Sequence, residues 1–280
     1  MSWRMAIRHR TGYRYAGPVR ASYNEARLTP PTLDGQRTLQ AALAIKPSVR
    51  PLRYVDYWGT TVDAFDLHVP HNELVVEATS LVETTGPRPV PTGASWSDLA
   101  DPAVRDRFAE FLAASTYVRA EPELTEIGRS QRAGSTPVQT GLRAAAWTHE
   151  TLRYERGATH VHTSSAEARA AGKGVCQDFV HVTLALLRAA RLPARYVSGY
   201  LHPAAEAEVG ATIAGESHAW VEFWAGEWVG VDPTSLADVG SGHVLLARGR
   251  DYADVRPLAG VYSGLAAEDF GVAVEVTRLA

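Results

Sequence analysis

The sequence predicts an α+β protein in which an N-terminal β-sandwich precedes a unit of helices and strands. Three observations carry that expectation. Period-two apolar runs dominate the first third of the chain, a proline-rich break follows, and beyond it helical periodicity gives way to paired strands.

Leu39, Ala41, Leu43 and Ile45 alternate with mostly small or polar neighbours before Lys46-Pro47, as one face of a strand does. Tyr54 to Val62 reads as a hairpin turning near Gly59, and Phe65, Leu67 and Val69 continue the period of two. Leu74, Val76, Ala78 and Val82 supply another run. Gly86-Pro87-Arg88-Pro89-Val90-Pro91-Thr92-Gly93 then breaks the pattern and is the best linker in the chain. The expected boundaries are a sandwich over 1–85, a linker over 86–98, and a second unit over 99–280 that includes the C-terminal strands.

Helices follow the linker. Asp101-Pro102 has the form of an N-cap with proline at the first helical position, ahead of Val104, Phe108, Phe111 and Leu112. Thr136-Pro137 repeats that signal before Val138, Leu142, Ala145, Ala146 and Leu152. From Phe179 to Ala190 the pattern is apolar nearly all round, which predicts a buried helix. Leu192-Pro193 stops it, and Arg195 to Leu201 reads as a strand.

The 280 residues are 45% hydrophobic and 21% charged, with a net charge of −3, which fits an ordinary folded chain. No block of like charge points to nucleic acid. No apolar stretch approaches the roughly 20 residues of a membrane span, and the N-terminus has no apolar segment of the secretory type. With one cysteine, the expected compartment is the reducing cytoplasm.

That one cysteine, Cys176, stands in Gly174-Val175-Cys176-Gln177-Asp178-Phe179, where a turn enters the buried helix. It cannot form an intrachain disulfide, so it is an inert packed side chain or a nucleophile. A helix start has unpaired N–H groups and a positive dipole end that favour a thiolate, and such settings bring a thiol pKa from about 8.5 to about 3.5–7.5.

Downstream, His218-Ala219-Trp220-Val221-Glu222-Phe223-Trp224 is a strand, Ala225-Gly226-Glu227 a tight turn, and Trp228 to Asp232 the returning strand. If 224 opposes 228, then 220 opposes 232, and Asp232 lies diagonal to His218 at a Cβ separation of about 7–8 Å. A one-residue slip would separate them. A thiol at a helix start, an imidazole and an orienting carboxylate form the set that thiol catalysis needs. Taken singly, His218 also fits a satisfied core histidine, and Asp232 before Pro233 a turn cap.

Together with Leu192-Pro193-Ala194-Arg195-Tyr196-Val197-Ser198-Gly199-Tyr200 and Val231-Asp232-Pro233-Thr234, these segments resemble the transglutaminase-like superfamily. They are most similar to its bacterial members, which go by the description cysteine protease. The likeness covers residues 140–240 closely, and the β-rich start resembles the domain that accompanies the bacterial core. It implies a papain-like core, with the cysteine on a central helix packed on an antiparallel sheet. It also implies Cys176 as nucleophile, His218 as base and Asp232 as orienter. The Cys176 N–H is a candidate oxyanion donor, and the family pattern adds Tyr154. Gln177, Asp178, Tyr196, Tyr200 and Trp220 are candidate cleft residues; Asp178 equally fits a carboxylate that stabilises the helix N-terminus, and core packing is the competing reading for Tyr154 and Trp220.

The sequence departs from the family in places. Gln177-Asp178 follows the cysteine where animal transglutaminases place tryptophan, and no acidic loop suggests their calcium sites. Thr60 follows the hairpin glycine where bacterial relatives have asparagine. The implied function is thiol-dependent hydrolysis or transfer on peptide-like amides, with a peptide or protein substrate, a primary amine as alternative acceptor, and no cofactor. The rival is a catalytically silent member of the fold that binds or scaffolds. His160-Val161-His162, which alternates as a strand does, with His181 and His202 nearby, lacks a third ligand motif and is read as solvated or core.

Overall fold

The computed structural model describes residues 2–87, 89, 93–202, 208–215, 217–269 and 271–280. The chain opens with β1 (Trp3–Val19), a strand in which buried Trp3, Met5, Ile7 and His9 alternate with Arg4, Ala6, Arg8 and Arg10. β2 (Ala21–Ala26), β3 (Gln36–Lys46), β4 (Leu52–Val55), β5 (Thr61–Leu67) and β6 (His71–Thr84) follow. The hairpin between β4 and β5 turns at Gly59, whose φ of 79° lies in the left-handed region that glycine enters without steric cost.

α1 (Trp96–Ala100), α2 (Pro102–Arg107) and α3 (Ala109–Leu112) are short. The helix expected across 102–112 breaks at Phe108, where φ −113° and ψ 20° leave the helical region. α4 (Pro122–Arg132) and α5 (Pro137–Thr151) pack against the central helix. Thr136 and Gln139 form a reciprocal cap at the α5 start, with bonds of 3.2 and 3.0 Å. Then come β7 (Arg153–Tyr154), α6 (Ser165–Ala171), β8 (Lys173–Gly174), the central α7 (Cys176–Ala189) and β9 (Ala194–Leu201). The rest is β10 (Thr212–Gly215), β11 (His218–Trp224), β12 (Trp228–Val231), β13 (His243–Gly249), α8 (Tyr252–Val255), β14 (Leu258–Ser263), β15 (Ala267–Asp269) and β16 (Ala273–Arg278). No helix among the described residues is long and apolar enough to cross a membrane.

Three antiparallel sheets and one parallel pair, β7-β8, organise these strands. One runs β10-β16-β1-β6-β3, with β15 also on β1; a second runs β14-β2-β5-β4; the third is β12-β11-β9-β13. The mixed α+β expectation holds. The C-terminal strands, however, do not extend the second unit. β16 pairs with β1 and β14 with β2, so both ends of the chain build the first two sheets. Even β10, between β9 and β11, joins β16. Strand pairing of this range has no local sequence signal. Of the expected linker over 86–98, residues 88 and 90–92 lie outside the described residues, and Trp96 to Asp98 already belong to α1.

α7 is enclosed. Phe179, Val180, Val182, Leu184, Leu186 and Leu187 are all at most 1% exposed, between α4, α5 and α6 on one side and β9 and β11 on the other. The approach of α4 depends on Gly128, where a Cβ would meet the Leu186 carbonyl oxygen at 2.3 Å. Gly141 of α5 lies under the Phe223 ring of β11, and a Cβ there would meet ring carbons at 2.2–2.6 Å. Gly141→Ala should therefore overpack this contact and destabilise the fold by about 1–3 kcal/mol. Thermal unfolding followed by circular dichroism would show a lower midpoint, and an unchanged midpoint would mean α5 can shift without cost.

Candidate active site

Val175 is the N-cap of α7, so Cys176 is its first helical residue and its N–H has no carbonyl a turn earlier to bond. Asp178 closes the entry: its Oδ2 accepts the Val175 N–H at 2.8 Å and the Thr159 hydroxyl at 2.5 Å. Burial raises the Asp178 pKa above its ordinary value, outweighing those bonds. A side chain at Gly174 would collide with this carboxylate, since its Cβ would lie 2.5 Å from Oδ2. Tyr154 faces Gly174 across the parallel β7–β8 pair.

The β11–β12 hairpin has the register that the sequence pattern assumes, with Trp224 opposite Trp228 and Val221 opposite Val231. His218 Nε2 and Asp232 Oδ2 lie 2.9 Å apart. The Cys176 thiol lies near enough to the ring to favour its protonated form. Burial pulls the His218 pKa down, but the Asp232 and Cys176 partners outweigh it and raise it to about 10. The imidazole is thus charged at neutral pH. Burial would raise the Asp232 pKa, yet the bonds from His218 and Ser235, with the His243 ring nearby, hold it well below the usual carboxylate range.

Asp232 has further donors. The Thr234 N–H reaches Oδ1 at 2.8 Å, an Asx-type turn, and the Ser235 hydroxyl reaches Oδ2 at 2.7 Å. Asp-Pro-Thr-Ser carries that signal in the sequence. His243 carries none: it lies beyond a loop, at the start of β13, with Nε2 3.9 Å from Asp232 Oδ2. His218, Asp232 and His243 bring two imidazoles and a carboxylate within 4.8 Å, donor types that suit a divalent metal. The Gly240 N–H, however, points at His243 Nδ1 at 3.3 Å, which leaves the ring proton on Nε2. A protonated nitrogen donates and does not ligate.

The other candidate cleft residues separate. Tyr154 is 45% exposed. Gln177 is buried and donates to the Val161 carbonyl at 3.3 Å. Tyr196 is buried against His181, and burial pushes its hydroxyl pKa well up. Tyr200 is a correction: its hydroxyl is 3.0 Å from His9 Nδ1 of β1, so it packs between sheets and not along a cleft. Trp220 is 1% exposed and, with Val197, Leu245, Leu33 and Val239, forms a small apolar cluster apart from the main core. The four histidines read as solvated or core do not gather at one point among the described residues. Neither His160 nor His162 lies in the expected strand, His162 bonds Tyr117, His181 stacks on Tyr117, and His202 meets the Trp3 ring.

The charged His218 has a measurable consequence. A pKa raised from 6.5 to about 10 contributes stability that is fully present below pH 6.5 and fades as pH rises toward about 10. The stability difference between wild type and His218→Phe should therefore be flat from about pH 4 to 6.5 and shrink toward alkaline pH. Chemical unfolding at a series of pH values reads it; a difference that grows toward pH 10 would contradict the charged ring.

Residues 5–83 match the family described as the bacterial transglutaminase-like N-terminal region, and residues 125–233 match the transglutaminase-like superfamily. An uncharacterized protein of Mycobacterium leprae is 44% identical over 99% of this chain and 100% of its own length. A stretch of 67 residues is 40% identical to a protein-glutamine gamma-glutamyltransferase of Pseudomonas aeruginosa, covering 22% of this chain and 10% of that one. A solved structure described as a "Putative Cysteine Protease from Cytophaga hutchinsonii" superposes with a TM-score of 0.78 at 21% identity, covering 100% of this chain and 92% of that one. At that identity the likeness is one of fold. Two family matches in order and a full-length relative make the chain a member of the transglutaminase-like superfamily, in its bacterial form with an N-terminal β region ahead of the core.

Proposed function

We propose that this chain cleaves peptide-like amide bonds by thiol catalysis, with Cys176 as nucleophile, His218 as its proton partner and Asp232 as the group that orients His218. The observation that carries the reading is the His218 ring, bonded at 2.9 Å to a buried carboxylate, with the Cys176 side chain close enough to raise the ring's pKa.

A cation beside a thiol at a helix start favours the thiolate. The sulfur attacks the amide carbonyl carbon, a C–S bond forms, and the carbonyl oxygen takes up negative charge. The Cys176 N–H is the nearest donor for that charge, and Tyr154 at the cleft is a second candidate. When the C–N bond breaks, His218 gives its proton to the departing amine and a thioester remains. His218, now neutral, takes a proton from the incoming water or amine as that group attacks the thioester. The C–S bond then breaks, and the thiolate faces the imidazolium again. Asp232 holds the ring in one tautomer throughout.

Water is the acceptor we favour. Cys176 is itself partly exposed to solvent, whereas efficient transfer to an amine needs water kept out. The 67-residue likeness to a glutamyltransferase keeps amine transfer as the alternative outcome.

Cys176→Ala should abolish turnover on a peptide library while leaving the melting midpoint nearly unchanged. His218→Ala should be almost as severe. Asp232→Asn should cost less than the roughly 10⁴ seen when a serine enzyme loses its orienting carboxylate, because a thiolate relies less on its base. The decisive screen uses peptide and glutamine-amide libraries with and without a labelled primary amine. Label incorporation exceeding hydrolysis would replace water with amine as the acceptor. No turnover, together with a Cys176 that alkylates no faster than a free thiol at pH 6, would leave a binding or scaffolding protein.

A further inference from the structure

Two contacts outside the Cys176–His218–Asp232 set converge on one strand. The first is His243 at the start of β13. Its Nε2, which carries the ring proton, lies 3.9 Å from Asp232 Oδ2, and this nitrogen is buried with no bonded partner. The ring sits edge-on to Trp220 at 5.2 Å and 6.2 Å from the His218 ring. The second is Gln36 of β3, whose amide is buried against β13. It donates to the Leu245 carbonyl at 2.9 Å and accepts the Leu245 N–H at 2.7 Å. Those bonds fall where the β13–β9 register shifts, between Leu245 and Ala247. A side-chain amide thus takes the place of a neighbouring strand at the irregular point of an edge strand.

We propose that His243 is a positioning residue for the Asp232 carboxylate, and that Gln36 reaches from the N-terminal sheet to fix the strand that carries it. The proposal rests on the reading of Asp232 as the orienter of His218. A separation of 3.9 Å is longer than a formed hydrogen bond, so His243 presents an N–H dipole to a buried charge and limits where that carboxylate can swing. Oδ2 is then bounded by His218, Ser235 and His243, and Oδ1 is held by Thr234. The titratable groups facing His218 are Cys176, Asp232 and, across the carboxylate, His243. Arg195, Glu222, Arg248 and Asp238 line the groove of about 490 Å³ that His243 and Trp220 also line, with Glu222 paired to both arginines.

Paired substitutions separate positioning from packing. His243→Phe keeps a ring against Trp220 and removes the N–H, whereas His243→Gln removes the ring and keeps an N–H donor at similar reach. Gln36→Met keeps the volume and loses both bonds to Leu245, together with the one to the Pro31 carbonyl. The readouts are the low-field NMR resonance of the His218 Nε2 proton, the rate of Cys176 alkylation at pH 7, and kcat/KM on any substrate found.

In His243→Phe the resonance should shift and exchange faster. Alkylation and kcat/KM should fall about tenfold, a fraction of the roughly 10²–10⁴ that acid–base catalysis supplies. His243→Gln should stay near wild type, Gln36→Met should resemble His243→Phe, and the two together should cost little more than either alone. A wild-type resonance and rate in His243→Phe, or loss in His243→Gln with retention in His243→Phe, would overturn the role of His243. Fully additive effects would overturn the link through Gln36. Because the His218 proton is observed without turnover, a failure of the catalytic reading remains distinguishable from a failure of this one.

Discussion

The burial of α7 is the constraint on which the other features depend. A helix apolar on nearly every face must be covered on all sides, and here α4, α5 and α6 cover one side while β9 and β11 cover the other. The covering is tight, because Gly128 and Gly141 let backbone and ring approach more closely than a side chain would allow. Two polar features lock the same helix. Thr183 bonds Thr148 of α5 at 3.0 Å, and the buried Arg188 reaches Ser115 and the Ala194 carbonyl near the C-terminus of α7. A helix held this way presents its first residue at a fixed point, and that residue is Cys176.

The sheet meets the helix with a second fixed point. The pairing of β11 with β12 puts Asp232 just past the end of one strand and His218 at the start of the other. The preceding segment is tied to a different sheet through β10 and β16. The polar partners of Asp232 are local on one side, from Thr234 and Ser235, and distant on the other, from His243 on β13. The N-terminal region touches this arrangement at several points: Gln36 at Leu245, Thr84 at the Ser241 carbonyl, and His9 at Tyr200. The β region is therefore continuous with the support of the site, through hydrogen bonds that few surface-attached modules would bury.

Much of the site is legible because it is local. The Cys176 position needs only a turn followed by an apolar helix, and the closeness of His218 and Asp232 needs only a hairpin with a three-residue turn. Period two then puts 220 opposite 232. The α5 start is legible for the same reason, since Thr136, Pro137 and Gln139 form a cap within four residues. What local pattern misreads is which apolar or aromatic residue faces solvent. Tyr154, Tyr200 and Trp220 look alike as aromatic residues on strands, yet exposure is 45%, 1% and 1%. Depth depends on what packs above the strand, and for Tyr200 that is His9, far away in sequence.

The sequence by itself determined the α+β class, the buried helix, the hairpin register and the order of thiol, imidazole and carboxylate. Each follows from periodicity or capping over a span of about a dozen residues, where backbone geometry leaves few choices. Only the tertiary structure decided that both chain ends build the N-terminal sheets, that β10 joins them, and that His243 and Gln36 converge on β13. These pairings join residues as distant along the chain as Met5 and Arg278. Their energy comes from burying strand edges and amide groups that any of several partners would satisfy, so the choice among partners belongs to the packing of the whole chain.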